Sequence, residues 1–354
     1  MSNYNIIIFG ASYGSLLATK LALAGHNVVM ICLPHEVQAF NNDGAIVRMP
    51  VRDVEGLVEV NSKQLKGQVK ACLPGDVTPS NYDLVVLAMQ EPQYSAVEIS
   101  DLLTRVAVAG VPCMSIMNMP PLTYLSRIPG LDIAALRPCY LSPEVWDRLD
   151  PGLMTLCSPD PQAFRPPDEG VNVLQVRLPT NFKSACFADK KHTAMLKDLE
   201  RDVEAARFST PTYQNLSLPV KLKVHDSVFV PLAKWAMLMA GNYRCVQKEA
   251  MRPIQEAVHH DLKRSRGVYE WVVDLCMTLG GDASDFVPFE KYAEAARSLG
   301  SPSSAARALA AGAKNIERVD KLVQTIGKSL GKNNDEIDAS VALVDAWLEK
   351  NRTT

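Results

Sequence analysis

Asn5-Ile6-Ile7-Ile8-Phe9-Gly10-Ala11-Ser12-Tyr13-Gly14-Ser15 is the stretch that decides the fold. Asn5–Phe9 is a continuous apolar run, as expected of a strand covered on both faces. Leu16–Ala24 has helical composition, and Gly25 is placed to stop it. A glycine turn directly between a buried strand and a helix is the setting a dinucleotide loop requires. The first glycine permits the tight turn, small residues let the backbone approach a pyrophosphate, and the open N–H groups of the helix start attract the anion. A regular G-x-G-x-x-G would place Gly at 10, 12 and 15; here Ser12 and Ser15 stand at two of those positions and Gly14 comes one place early. Gly10, Ser12, Tyr13, Gly14 and Ser15 are therefore the expected coenzyme loop, with Ser12 or Ser15 offering a hydroxyl to phosphate. The alternative is an ordinary strand-to-helix turn.

Working outward, Asn27–Cys32, Asp83–Met89 and Val111–Met117 are further apolar runs, with a helix-like stretch around Tyr94–Ala107. Strand, helix, strand in this order implies a parallel, doubly wound sheet. Ala45–Met49 and Leu57–Val60 are β-rich, and Val171–Leu178 and Phe182–Phe187 read as extended segments closing the first domain. From about Lys190 helical stretches dominate: 191–208, 222–246, 254–279, 288–298, 303–311, 316–330 and 335–351. Pro231 should kink or restart the second of these. The expectation is an α/β chain of two domains: residues 1–185 form a Rossmann-type sheet, and residues 186–354 an all-helical substrate and dimerisation domain. The second strand ends at Leu33-Pro34-His35-Glu36. An acidic residue there would bind the ribose of NAD and an Arg the 2′-phosphate of NADP. Leu33 offers neither, so NAD and NADP both stay open.

The chain of 354 residues is 47% hydrophobic and 21% charged, with a net charge of −2, so nothing in its charge points to nucleic acid or an anionic membrane. No segment has the roughly 18–20 uninterrupted apolar residues that span a bilayer. The N-terminal residues lack the basic flank and apolar stretch of a signal peptide, which makes a cytoplasmic location the expectation. The eight cysteines form no C-x-x-C pair and lie largely in apolar runs, so buried free thiols are expected and no metal site.

An ordered series of segments resembles the ketopantoate reductases (2-dehydropantoate 2-reductases). It comprises IIIFGASYGSLLATKLALAGHNVVMI (6–31), HEVQAFNNDGAIVRMP (35–50), DLVVLAMQEPQYSAV (83–97), SIMNMPPLTYL (115–125), LAKWAMLMAGNYRCV (232–246) and SSAARALAAGAKNIERVDKLV (303–323). The resemblance covers most of the chain through motifs that are each degenerate. It implies a Rossmann domain, a helical second domain, and hydride transfer from NADPH to a 2-oxo acid. In that family a Lys early in the helical half protonates the new hydroxyl, and nearby Asn, Ser and Glu groups hold the substrate.

Carried over residue by residue, the loop Asn matches Asn118, which otherwise reads as a turn residue before Met119-Pro120-Pro121. The strand-end Lys is replaced by Gln90, which follows Met89, and Gln93 matches the family's Gln. The catalytic Lys is absent: counted from Trp235, its position and that of its Asn partner hold Met237 and Gly241. Lys234 and Asn242 lie close by, about 80° apart on an α-helix. Lys234 is thus either a displaced acid or a solvated surface residue. The family's Ser falls at Ser303 or Ser304, either of which also suits a helix cap. Its Glu falls near Glu317, one residue out of register. His225 is a reserve acid–base candidate.

The function expected is an NAD(P)-dependent oxidoreductase acting on a small oxo or hydroxy compound that bears a carboxylate. The altered Lys, glycine loop and Met-Pro-Pro argue against ketopantoate itself. Met117, Met119, Met237 and Met239 would give an apolar wall for a larger or aromatic substrate, or are simply core. A cofactor-assisted lyase or isomerase and a non-catalytic dinucleotide-binding protein are the alternatives. A small-molecule substrate and a homodimer are the expected partners.

Overall fold

The Asn5–Phe9 run forms the central strand of a sheet, with every residue from Ile6 to Phe9 buried. A computed structural model describes residues 3–353. In chain order the strands are β1 (Asn5–Phe9), β2 (Asn27–Ile31), β3 (Ile46–Pro50), β4 (Leu57–Asn61), β5 (Val69–Cys72), β6 (Leu84–Leu87), β7 (Cys113–Ile116), β8 (Met154–Ser158), β9 (Gln162–Phe164), β10 (Val173–Leu178), β11 (Phe182–Ala185) and β12 (Leu222–His225). Two compact units emerge. The first runs to Met89 and also holds Gln93–Met117 and Val145–Asp226; the second holds Gln90–Pro92, Asn118–Glu144 and Ser227 onward.

In the first unit, β5-β2-β1-β6-β7-β8 are mutually parallel. Numbered among themselves they stand in the order 3-2-1-4-5-6, that of a doubly wound dinucleotide fold. β11 joins β8 antiparallel, and β12 lies beyond it, parallel to β11. A second sheet, β4-β3-β10-β9, is built from the polar and β-rich segments. The sheet core is dominated by Ile, Val and Leu from the central strands, packed against helix Ala11–Ala24. That helix stops because Gly25 takes φ +101° and passes the chain on, with His26 N–H donating back to Leu21 O at 3.0 Å.

The second unit is helical, with no strand among its described residues. The expected cut at 185/186 falls inside the first unit, which keeps helix Lys190–Ala205 and β12. The expected helix over 222–246 is corrected. Leu222–His225 is a strand that lengthens the sheet, so His225 lies at a strand end, and the helical chain restarts at Pro231 in the turn Val230–Ala233. The expected helix over 254–279 is two helices, Ile254–His259 and Leu262–Thr278, the second capped by Asp261. All eight cysteines are free, with Cys72 and Cys186 only half-buried. Among the described residues no helix is long and apolar enough to cross a membrane.

Candidate active site

Two places gather the residues singled out above, one in each unit. In the first unit the crevice at the C-terminal ends of β1 and β6 is the switch point of the sheet, where ligands of such folds collect. Gly10 sits there at φ +92°, ψ 113°, a conformation a side chain would strain. A Cβ on Gly10 would stand 2.6 Å from Met89 Cγ and 3.0 Å from the Ala88 carbonyl oxygen, so backbone meets backbone at this point. Met89 is pinned through its N–H, which donates to the hydroxyl of the fully buried Tyr94. Helix Ala11–Ala24 starts with no side-chain cap and no acidic residue in its first turn, leaving its N–H groups and positive dipole end open to an anion. These features fit a diphosphate. Gly14 explains the shifted motif: a Cβ there would stand 2.6 Å from Ile8 Cγ2, so it performs the close helix–strand packing that the third glycine of a regular motif performs.

Within the loop only Ser12 has an exposed side chain. Ser15 is buried and its hydroxyl donates to the Ser12 carbonyl at 2.9 Å. Tyr13 donates its hydroxyl to the Pro161 carbonyl and meets Phe182 edge-on, which ties the helix to the β8–β9 connection; burial pushes its phenol well above the usual range. At the end of β2, Leu33 is exposed and Glu36 turns inward. One Glu36 oxygen accepts from Leu33 N–H at 3.0 Å, and the other pairs with Arg165 Nη1 at 2.6 Å.

In the second unit Gln90, Asn118, Asn242, Tyr243, Ser304 and Glu317 supply the polar lining of a small pocket. Leu238, Ala305, Ala308 and Ile316 complete it. Asn242 is presented by a π-helical turn, Leu238–Asn242, of the kind found at functional sites. Gly241 makes room for that turn's neighbour, since a Cβ there would collide with Tyr292 Oη. Tyr292 instead donates to the Met237 carbonyl at 3.0 Å. Ser303 caps helix Ser304–Ala310 by accepting from Ala306 N–H, and its hydroxyl donates to the Asn242 carbonyl at 2.8 Å, which brings Ser304 to the lining.

Glu317 is the chemical centre of this pocket. It is 8% exposed, and its carboxylate accepts from Asn118 Nδ2 at 3.3 Å and from Glu91 N–H at 3.4 Å. Its backbone carbonyl accepts from Tyr243 Oη at 2.5 Å, and the same phenol oxygen accepts from Val319 N–H. Burial is the main force on the Glu317 carboxyl and pushes it up to about 7 against the pull of these donors. Glu91 is buried as well, with its carboxylate accepting from Leu141 N–H at 3.0 Å, and burial pushes it up to about 7.

The structure thus brings together Gln90, Asn118, Asn242, Ser304 and Glu317. Lys234 is not among the lining residues: it sits half-buried in the short helix Lys234–Met237. The π turn beginning at Leu238 breaks the α-helical phase by which Lys234 and Asn242 were expected to border one cleft. Gln93 is exposed and belongs to the first unit. None of the four methionines lines the pocket; Met117, Met119 and Met239 are core residues. Sequence reasoning missed Glu91, Tyr243 and the Glu36–Arg165 pair. Glu91 left one signal, a charged residue directly after a buried strand and beside a motif glutamine.

No family model matches the chain, and no curated protein does. Solved structures do. A Ralstonia solanacearum protein assigned as a ketopantoate reductase is similar at 16% identity and TM-score 0.66, covering 99% of both chains. D-mandelate dehydrogenase, solved with NADH and anilino(oxo)acetate, is similar at 14% identity and TM-score 0.63, covering 98% of this chain and 99% of its own. The dimeric ketopantoate reductase of Staphylococcus aureus is similar at 9% identity and TM-score 0.61, covering 98% and 99%. The chain therefore has the fold of the ketopantoate reductases over nearly its whole length.

Proposed function

We propose that this chain is a divergent ketopantoate-reductase-like enzyme. It moves hydride between a nicotinamide coenzyme and a small oxo or hydroxy compound other than ketopantoate, and Glu317 serves as its proton donor and acceptor. The observation that carries the reading is the Glu317 carboxyl itself, buried, oriented by Asn118 and set in the wall of a pocket whose lining does not include Lys234.

Gly10 and the first-turn N–H groups after it would hold the coenzyme's diphosphate, with Ser12 as the exposed hydroxyl of that turn. When bound, a nicotinamide coenzyme supplies or takes up the hydride. Glu317 contributes the proton. Near neutral pH a carboxyl that titrates at about 7 is partly protonated, so it gives its proton to the carbonyl oxygen in reduction and takes one from the hydroxyl in oxidation. Asn118 fixes which way the carboxyl faces, and Tyr243 fixes the backbone behind it. Asn242 and Ser304 are the neutral donors available to orient a substrate oxygen. The homodimer expected from the apolar helices belongs to the same proposal, supported by the dimeric Staphylococcus aureus enzyme of this fold.

The test is a calorimetric titration with NADH and NADPH, followed by coenzyme oxidation with a panel of ketones and 2-oxo compounds. The reading expects micromolar coenzyme binding, turnover of at least one panel member, and a loss of about 10²–10⁴-fold in kcat for Glu317→Gln. Coenzyme binding without turnover would leave a dinucleotide-binding protein, and no binding would remove the proposal.

A further inference from the structure

The geometry points to an uncharged carbonyl substrate: the Glu317 pocket selects a ketone without a carboxylate, such as the ester or amide of a 2-oxo acid, over the anion of that acid. This rests on the reductase reading above and narrows it against the carboxylate expected from sequence.

The polar wall consists of three amides, a serine, a tyrosine and a carboxyl, and among the described lining residues there is no Lys, Arg or His. A carboxylate moved out of water needs a cation or several charge-directed donors to offset the lost hydration. The tyrosine offers no donor, because the Tyr243 hydroxyl already donates to the Glu317 carbonyl. The adjoining cation, Arg318, is committed elsewhere: Nε and Nη2 each bond Asp320 at 3.0 Å, and Nη1 bonds Asp345 at 2.6 Å.

The surrounding charge has the wrong sign for an anion. Glu317 is in the wall, and Glu91 is coupled to it through the Glu91 N–H bond. Glu144 adds a further acidic group whose charge is felt at Glu91. A substrate carboxylate placed here would hold both buried glutamates in their protonated forms, so binding the anion would oppose the return of Glu317 to carboxylate after it gives up its proton. An uncharged carbonyl imposes no such cost, and its oxygen needs only the neutral donors that the wall provides.

The experiment uses the full-length chain with matched pairs, pyruvate against methyl pyruvate and benzoylformate against methyl benzoylformate, under NADPH and under NADH. The expected result is a kcat/KM at least tenfold higher for each ester than for its acid. Equal values, or a preference for the acids, overturn the inference while leaving the reductase reading in place. Calorimetric titration of the same pairs onto coenzyme-free protein reads the preference without turnover. Tighter binding of the esters supports the inference; tighter binding of the acids, or binding of neither, overturns it. Coenzyme binding with no turnover of any member of the pairs or of the wider panel counts against the reductase reading, and the titration then decides the charge preference alone.

Discussion

Glu317→Gln keeps the shape of the side chain and removes its titration, and the outcome can be worked from the structure. The Glu317 carboxyl is raised from 4.5 to about 7 by burial, so the folded protein holds this proton more tightly than the unfolded chain does. The associated stability is fully present below pH 4.5 and is lost as pH rises to about 7. Over that interval wild type should lose about 3 kcal/mol through this one group, and the Gln variant should not. At pH 4.5 the variant should be the weaker protein by about 1–3 kcal/mol, because one half of the amide turns a donor toward Asn118 Nδ2 or Glu91 N–H. The difference should close or reverse by pH 8. Removing the neighbouring charge also eases ionisation of Glu91, which acts in the same direction. Urea unfolding across pH 4.5–8 measures this, with tryptophan fluorescence as the probe, since Trp235, Trp271 and Trp347 all belong to the helical unit. Comparing variant with wild type at each pH cancels most other titrating groups. A difference that stays flat within about 0.5 kcal/mol over this range would refute the assigned burial cost.

Three further outcomes are expected. Gly10→Ala puts a Cβ 3.0 Å from the Ala88 carbonyl oxygen at φ +92°, so it should cost about 1–3 kcal/mol in unfolding and weaken coenzyme binding at least tenfold by calorimetry; an unchanged affinity would count against the loop. Gly241→Ala drives a methyl into Tyr292 Oη and should cost about 1–3 kcal/mol, part of which Tyr292→Phe recovers in the double variant because it vacates that space. Because both Glu36 oxygens are taken by Leu33 N–H and Arg165, no carboxylate is spare at the end of β2 to reject a 2′-phosphate. NADH and NADPH should therefore bind within about tenfold of each other, or about 1.4 kcal/mol, and a larger gap in titration would contradict this.

The glycine loop was legible because strand, turn and helix announce themselves within 20 residues, and because Gly10 stands where only a bare backbone passes Ala88. Asn118, Asn242 and Glu317 came from the resemblance to the ketopantoate reductases, position by position, and do line one pocket. What spacing missed depends on burial and pairing over long separations. Glu91 reads as a loop acid until the fold covers it and sets its N–H on a residue 226 positions away. Leu222–His225 reads as the start of a helix, and only its partner β11 makes it a strand. The π turn before Asn242 has no sequence period of its own, so the geometry inferred for Lys234 used a helix that is not continuous.

The chain's path through its two units carries a consequence for evolution and engineering. The helical unit borrows Gln90–Pro92 and Asn118–Glu144 from the middle of the Rossmann half. Grafting the C-terminal half of a relative onto this N-terminal half would import a new Asn242, Ser304 and Glu317 yet retain the old Gln90 and Asn118. On the proposed reading, substrate preference is written in two distant stretches of the gene that must be exchanged together, and chimaeras joined at a single crossover should lose the pocket's polar wall before they lose the glycine loop at Gly10.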